Sequence, residues 1–231
     1  MKPDKSRDKI ELMFNEISGS YDFLNHFFSM GMDKVWRTKI RKNIIHNNYI
    51  TARILDLASG TGDLTIEFLK LNTEKVYSCD ISEQMLEIQS KKIRNNKLSI
   101  IQASAENLPL TDNFIDITGI AFGIRNFENI DAALDEIKRV LRKDGYLIII
   151  DMFNNASIIS KLFNIYFSVL LPKIGNLVSR SKQKAYTYLS NSVKTFYNRN
   201  EFIELLEKHS FKVRKVKNNF LGIVLTFYLQ K

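Results

Sequence analysis

Cysteine is nearly missing from this 231-residue chain: Cys79 stands alone. An internal disulfide is therefore excluded, and a reducing compartment fits. Cys79 lies in an apolar stretch and reads as a small core residue rather than a reactive thiol. The opening residues Met1–Asp8 are polar and no apolar run follows them, so no signal peptide is expected and the cytoplasm is the expected location. No apolar stretch is long enough to span a bilayer. The strongest, residues 162–171, is ten residues long and bounded by Lys161 and Pro172-Lys173. It suits a core helix, an interfacial helix or a cover over a greasy ligand. Internal repeats and low-complexity segments are absent. His26, His46 and His209 show no metal-ligand spacing, so no metal is expected.

The composition, 45% hydrophobic and 26% charged, is that of an ordinary globular protein. Its length suits one large α/β domain. The net charge of +9 is uneven. Residues 51–155 carry −4, residues 1–50 carry +3 and residues 156–231 carry +10. An anionic partner, phospholipid or nucleic acid, suits the last third. Solubility, or a compositional bias toward Asn, Ile and Lys, explains the same excess.

From residue 53 strands alternate with helices. The expected order is strand Arg53–Ala58, helix Asp63–Leu71, strand Lys75–Asp80 and a helix capped by Ser82 that runs to Arg94. Strands Leu98–Ala103 and Ile115–Ala121 follow. Helix Asp131–Arg142 is then ended by Gly145, before strand Tyr146–Met152. This alternation predicts a parallel, doubly wound sheet. Residues 8–46 read as amphipathic helix broken near Gly19 and Gly31. Residues 156–195 hold two or three more helices. Helix Glu201–His209 starts near Asn198 or Asn200. Strands Phe211–Lys217 and Gly222–Leu229 turn near Asn218-Asn219, so one antiparallel strand finishes the sheet. The expected organisation is a single domain. Residues 1–50 form a helical cap and 51–155 a cofactor-binding core. Residues 156–198 form a helical lid or substrate region, and 199–231 a helix and hairpin.

The densest motif is Asp56-Leu57-Ala58-Ser59-Gly60-Thr61-Gly62-Asp63. It is a strand that stops in a glycine turn and opens a helix, which suits an adenosine cofactor at the carboxyl edge of a parallel sheet. The third position of a dinucleotide fingerprint is Thr65 rather than glycine, which weakens a pyrophosphate reading. Gly60 and Gly62 let backbone approach a ligand closely. Asp56 and Asp63 bracket a turn that holds no lysine or arginine, so it favours a cation over a phosphate. S-adenosylmethionine carries a sulfonium and an ammonium, which Asp56 or Asp63 can balance. Asp80, at the end of the next strand, can accept from both ribose hydroxyls. Gln102–Pro109 follows the third strand, where the Ser104 side chain and Ala105 backbone can meet an adenine ring.

These motifs, with others along nearly the whole chain, resemble the quinone-biosynthesis C-methyltransferases. The more specific segments are Tyr21-Asp22 with Asn25, Phe122-Gly123-Ile124-Arg125-Asn126 and Leu171-Pro172-Lys173-Ile174-Gly175. Departures are Ser59 in the glycine turn, Lys143-Asp144-Gly145 in place of Pro-Gly-Gly, and Asp151 where Glu is usual. The resemblance implies a class I methyltransferase fold and S-adenosylmethionine contacts at Thr61, Asp80, Ser104 and Ala105. It also implies a polyprenylated quinol substrate, contact with an anionic membrane, no nucleic acid, and a homodimer. Ring methylation needs a deprotonated hydroxyl whose charge spreads onto carbon. Arg125 is expected to stabilise that phenolate, since its guanidinium stays protonated. Asn126 is expected to orient a substrate oxygen, with Tyr21, Asp22 and Asn25 closing the pocket. Two other readings stay open. One is a methyltransferase acting on another lipid or small molecule. The other is a nucleic-acid protein using the basic tail, although no Asn-Pro-Pro-Tyr base-flipping motif is present.

Overall fold

The computed structural model describes residues 3–155 and 185–231. The 162–171 run and the Leu171–Gly175 segment lie outside the described residues. Two cap helices, α1 (Arg7–Phe28) and α2 (Met32–His46), precede β1 (Arg53–Leu57). Then come α3 (Asp63–Leu69), β2 (Lys75–Asp80), α4 (Glu83–Lys92), β3 (Leu98–Gln102) and β4 (Ile115–Ala121). A short turn of 3-10 helix (Ile124–Asn126) leads to α5 (Ile130–Val140) and β5 (Leu141–Met152). The chain finishes with α6 (Ala185–Lys194), α7 (Arg199–Lys208), β6 (Lys212–Phe220) and β7 (Val224–Gln230), numbered among the described helices.

The seven strands form one sheet in the order β3-β2-β1-β4-β5-β7-β6. β7 alone runs antiparallel to its neighbours, as expected. β1 and β4 are neighbours, and the chain winds outward from them in opposite directions. That switch point opens a crevice at the carboxyl ends of the strands.

The central strands are apolar almost throughout because helices cover both faces. Alternate residues split the core. Ile54, Ile117, Ile148 and Ile150 pack under the cap with Ile17, Leu24, Trp36 and Phe68. Leu55, Leu57, Leu147 and Ile149 pack against α5 and α7 through Ala133, Ile137, Phe202 and Leu206. β1 stops at Leu57 because Ala58 turns into the left-handed region (φ 55°), and Phe122 does the same after β4 (φ 62°). Non-glycine residues seldom sit there, and both occur at the crevice.

Several expected boundaries move. Gly19 does not break α1, which continues to Phe28; only Gly31 (φ 74°) separates the cap helices. Buried Ile17 and Leu24, on either side of Gly19, hold the helix to the core. α5 ends at Val140 rather than Gly145. The chain enters β5 directly, and the 142–145 segment bulges between the Ile115–Leu141 and Ile117–Tyr146 pairs. Asn218 and Asn219 lie inside β6, and the turn falls at Leu221–Ile223 around Gly222 (φ 75°). Asn198 caps α7 in a reciprocal capping box with Glu201. Among the described residues no helix is long and apolar enough to cross a membrane.

Candidate active site

The glycine turn after β1 and the acidic end of β2 are tied together. The Gly60 N–H donates to Asp80 Oδ2 at 2.8 Å, and the Ser82 N–H donates to Asp80 Oδ1 at 2.9 Å. Burial pushes the Asp80 carboxyl up from its usual value, and the N–H groups of Ser82, Gly60 and Ile81 pull it back. The second glycine of the turn is fixed by its conformation and its neighbours. Gly62 has φ 87°, and a Cβ there would lie 2.7 Å from Ile93 and 2.8 Å from Gln89.

A cavity of about 390 Å³ sits over this turn, lined by Ala58, Gly60, Asp80, Ser104 and Ala105 among others. Four of the five expected cofactor contacts therefore meet in one place. Thr61 is the exception. It is buried, does not line the cavity, and donates its hydroxyl to Asp22 Oδ1 on α1 at 2.5 Å. It joins the cap to the turn. The turn carries no cation, and the acidic rim comes from Asp80, Glu106 and Glu128. Lys5, Arg7 and Ile10 of the N-terminal segment also line the cavity, with the Arg7 N–H donating to Glu128 at 3.2 Å. Periodicity carries no signal for such a long-range contact. The donor set fits an adenosine, with a carboxylate pinned for a diol and small residues after β3, and Glu106 and Glu128 stand in the lining opposite in charge to Lys5 and Arg7.

Asp56 and Asp63, expected to balance a cofactor's charge, line neither this cavity nor the next. Asp63 belongs to an ionic cluster beneath the turn. Lys92 reaches Asp63 at 2.7 Å and Asp22 at 2.9 Å. Arg37 lies 2.5 Å from Asp33 and 3.5 Å from Asp63, and His26 lies 2.7 Å from Asp33. The fold thus brings His26, Asp33 and Asp63 within metal-ligand reach of one another, which their spacing in sequence did not suggest. The Arg37 and Lys92 side chains already answer both carboxylates, so the cluster reads as a latch between cap and core.

Asp56 is buried, accepts from the Thr65 hydroxyl at 2.5 Å, and leaves Oδ1 without a partner among the described residues. Burial pushes its carboxyl up to about 7, with the Thr65 hydrogen bond opposing. Below about pH 4 the group is protonated in folded and unfolded chains alike and costs nothing. Between about pH 4 and 7 only the unfolded chain ionises it, so stability falls by up to about 1.4 kcal/mol per pH unit and then levels off. Asp56→Asn removes this penalty. Its stability relative to the unmodified chain is expected to climb across that window and plateau above it, as denaturant unfolding at several pH values would reveal. A constant difference would contradict the assignment.

A second cavity, about 300 Å³, lies beside the first, and the two share Phe14, Tyr21, Phe122 and Asn126 in their walls. Its lining is mostly apolar, including Met13, Ile17, Trp36, Met152, Leu189 and Val224. Into it come the expected polar residues Tyr21, Asn25, Arg125 and Asn126, joined by Tyr188 from α6. Arg125 follows β4 in the short 3-10 turn. Its Nη1 donates to the Phe122 carbonyl at 3.1 Å and pairs with the fully buried Asp151 on β5. Burial pushes Asp151 up, and Arg125 pulls it back down. The Arg125 Nε has no partner among the described residues. The Tyr188 hydroxyl donates to Asn126 Oδ1 at 3.3 Å, which leaves the amide N–H₂ to donate. Burial holds the phenols of Tyr21 and Tyr188 above their usual values, Tyr188 at about 12, with Arg125 opposing in both. Both are hydroxyl donors at neutral pH.

A family model described as the ubiE/COQ5 methyltransferase family matches residues 2–231. The demethylmenaquinone methyltransferase of Chlorobaculum tepidum is 38% identical over 213 residues, which covers 90% of this chain and 86% of that one. The ubiquinone/menaquinone biosynthesis C-methyltransferase UbiE of Blochmanniella pennsylvanica is 33% identical, covering 96% and 89%. Among solved structures, a putative S-adenosylmethionine-dependent methyltransferase from Methanococcus maripaludis superposes with TM-score 0.63 at 21% identity, over 100% of this chain and 95% of that one. One from Thermotoga maritima gives 0.61 at 20%, over 92% and 98%. The sheet order is thus that of class I methyltransferases, the enzyme is a methyltransferase and its cofactor is S-adenosylmethionine. With the match spanning cap, core and terminal hairpin together, this chain belongs to the ubiE/COQ5 methyltransferase family.

Proposed function

We propose that this enzyme methylates a ring carbon of a polyprenylated quinol: demethylmenaquinol first, 2-polyprenyl-6-methoxy-1,4-benzoquinol second. The observation that carries this is the pair of adjoining cavities. The cavity over the glycine turn and an apolar chamber meet across Tyr21, Phe122 and Asn126, and Arg125 stands in the chamber wall. The names of the relatives at 38% and 33% identity support the quinol class.

S-adenosylmethionine supplies, when bound, an electrophilic methyl on a sulfonium sulfur that keeps the bonding pair as the methyl leaves. The chain supplies Gly60, Asp80, Ser104 and Ala105 to hold it, and Thr61 to keep the turn against the cap. In the chamber the apolar lining seats the ring, and the polar groups of Tyr21, Arg125 and Asn126 stand in its wall. Ionising the quinol hydroxyl places charge on oxygen and, by delocalisation, on the carbon to be methylated. Arg125 steadies that oxyanion and lowers the cost of forming it. The hydroxyl proton passes to a water that Arg125 orients; once the carbon–methyl bond has formed, the same ring carbon gives up its hydrogen as a proton to water and the ring oxygen is reprotonated, which restores the aromatic quinol with one net proton released. The Asn126 amide and Tyr21 hydroxyl donate to substrate oxygens and set which ring carbon faces the shared wall. Asp151 holds the guanidinium and shares its charge.

The test is purified protein with S-adenosylmethionine and each demethylated quinol in detergent micelles, read by product mass. One added methyl on either quinol supports the proposal. Methylation of an unrelated lipid or small molecule, with neither quinol turned over, would transfer the activity to another acceptor.

A further inference from the structure

Trp36, the only tryptophan of the chain, lies on α2 and lines the apolar chamber. Its ring packs against Phe122, with centroids 6.1 Å apart, and against Phe220 at 6.4 Å. These contacts hold the indole in place, and the residue is only 5% exposed. Its Nε1, which can donate but not accept, has no partner among the described residues. Buried indole N–H groups are ordinarily hydrogen-bonded, because an unpaired one has given up water and gained nothing. Were packing the only duty of this side chain, phenylalanine would serve without that cost.

The chamber takes polar groups from two further elements besides α1. The 3-10 turn after β4 brings Arg125 and Asn126, and the first turns of α2 bring Asp33, Trp36 and Arg37. Phe122 stands between the two sets. Its carbonyl accepts from Arg125, while its ring meets Trp36 and lies 5.6 Å from the Arg37 guanidinium. On the α2 side the carboxylate is already committed, since Asp33 accepts from Ser29, His26 and Arg37. What α2 leaves over among the described residues is donors, Trp36 Nε1 and Arg37 Nε. A group that satisfies this side of the chamber must therefore be an acceptor.

We propose that the Trp36 N–H receives the second oxygen of the ring, para to the one that Arg125 holds, so that the chamber selects a 1,4-dioxygenated ring over a simple phenol. This rests on the quinol reading and adds a specificity residue to it. A flat ring with para oxygens presents one acceptor at each end, and Arg125 with Asn126 can take one while Trp36 takes the other. Two anchors stop the ring from turning in its plane, which a single anchor leaves free, and so keep one ring carbon at the shared wall. The indole takes a lone pair and leaves the second hydroxyl its proton, so ionisation stays at the Arg125 end. A ring without that oxygen leaves the buried N–H unpaired, and a site built around such a donor discriminates strongly against it.

The test uses two probes, 1,4-dihydroxynaphthalene and 1-naphthol, titrated under nitrogen into the full chain without cofactor, so that nothing turns over. Nitrogen labelling gives a single indole N–H resonance, because there is a single tryptophan. That resonance is expected to move downfield as the diol saturates the protein and to stay near its starting position with 1-naphthol. Calorimetry is expected to show the diol bound about tenfold or more tightly than 1-naphthol. Trp36→Phe is expected to bring the two probes within about twofold of each other while its affinity for 1-naphthol holds. The comparison of probes on the unmodified chain stands even if that variant fails to fold. An indole resonance unmoved by bound diol, or a full preference kept by folded Trp36→Phe, would overturn the proposal. Should that happen while demethylmenaquinol is still methylated, the second-oxygen site alone is lost and the quinol reading stands. Should neither probe bind and neither demethylated quinol gain a methyl, both are lost.

Discussion

Asp80→Ala is expected to weaken S-adenosylmethionine binding by about 100-fold or more, because two hydrogen bonds to a charged acceptor are worth roughly 1.5–3 kcal/mol each. The structure gives this carboxylate two duties. It faces the first cavity, where it can accept from a ribose diol, and it receives the Gly60 and Ser82 N–H groups. Truncation removes the diol acceptor and frees the glycine turn at once. Asp80→Asn separates the two effects. It keeps the bulk and one acceptor but turns an amide toward a donor, so it should retain most of the stability while losing most of the affinity. Isothermal titration, with a parallel melting curve, would measure both. Unchanged affinity in the folded alanine variant would remove Asp80 from the cofactor site.

Arg125→Lys is expected to lower kcat by about 100-fold or more, with cofactor affinity unchanged, since a lost charge-stabilising donor costs that much in other enzymes. Lysine keeps a positive charge near Asp151, but it lacks the guanidinium's Nε and second Nη, the donors that the Phe122 carbonyl and Asp151, both met by Nη1, leave over. Alanine is a poorer probe. It would strand the buried Asp151 carboxylate, at a cost of roughly 3–5 kcal/mol in stability. Single-turnover methylation at saturating cofactor separates chemistry from binding. Full turnover by the lysine variant would exclude phenolate stabilisation by the guanidinium.

Much of this site could be read from residues alone, for identifiable reasons. Lys75–Asp80 and Ile115–Ala121 end where the sequence places their ends, the first because its apolar run stops at Asp80, the second because the chain turns at Phe122-Gly123, with Phe122 at φ 62°. Gly60, Asp80, Ser104 and Ala105 follow successive strands, and a parallel sheet gathers strand ends at one edge. What escaped were contacts made across the fold. Nothing near Thr61 announces that Asp22 on the cap takes its hydroxyl. Nothing in Lys5 or Arg7 announces that the N-terminal segment crosses the cofactor cavity. The placing of Asp56 was recoverable. Strand alternation puts Leu55 and Leu57 on one face and Asp56 on the other, against Thr65 of α3. Gly19 and Gly145 misled because packing overrides local preference. The cap helix is held by buried neighbours, and β5 absorbs its glycine as a bulge.

The central claim is that the two cavities meet so that a methyl crosses their shared wall onto carbon. The most direct measurement uses S-adenosylmethionine carrying an isotope-labelled methyl, demethylmenaquinol as acceptor, and magnetic resonance of the purified product. The label is predicted on the ring carbon, at a rate that collapses in Arg125→Lys. A label on a quinol oxygen, or transfer indifferent to Arg125, would contradict the account.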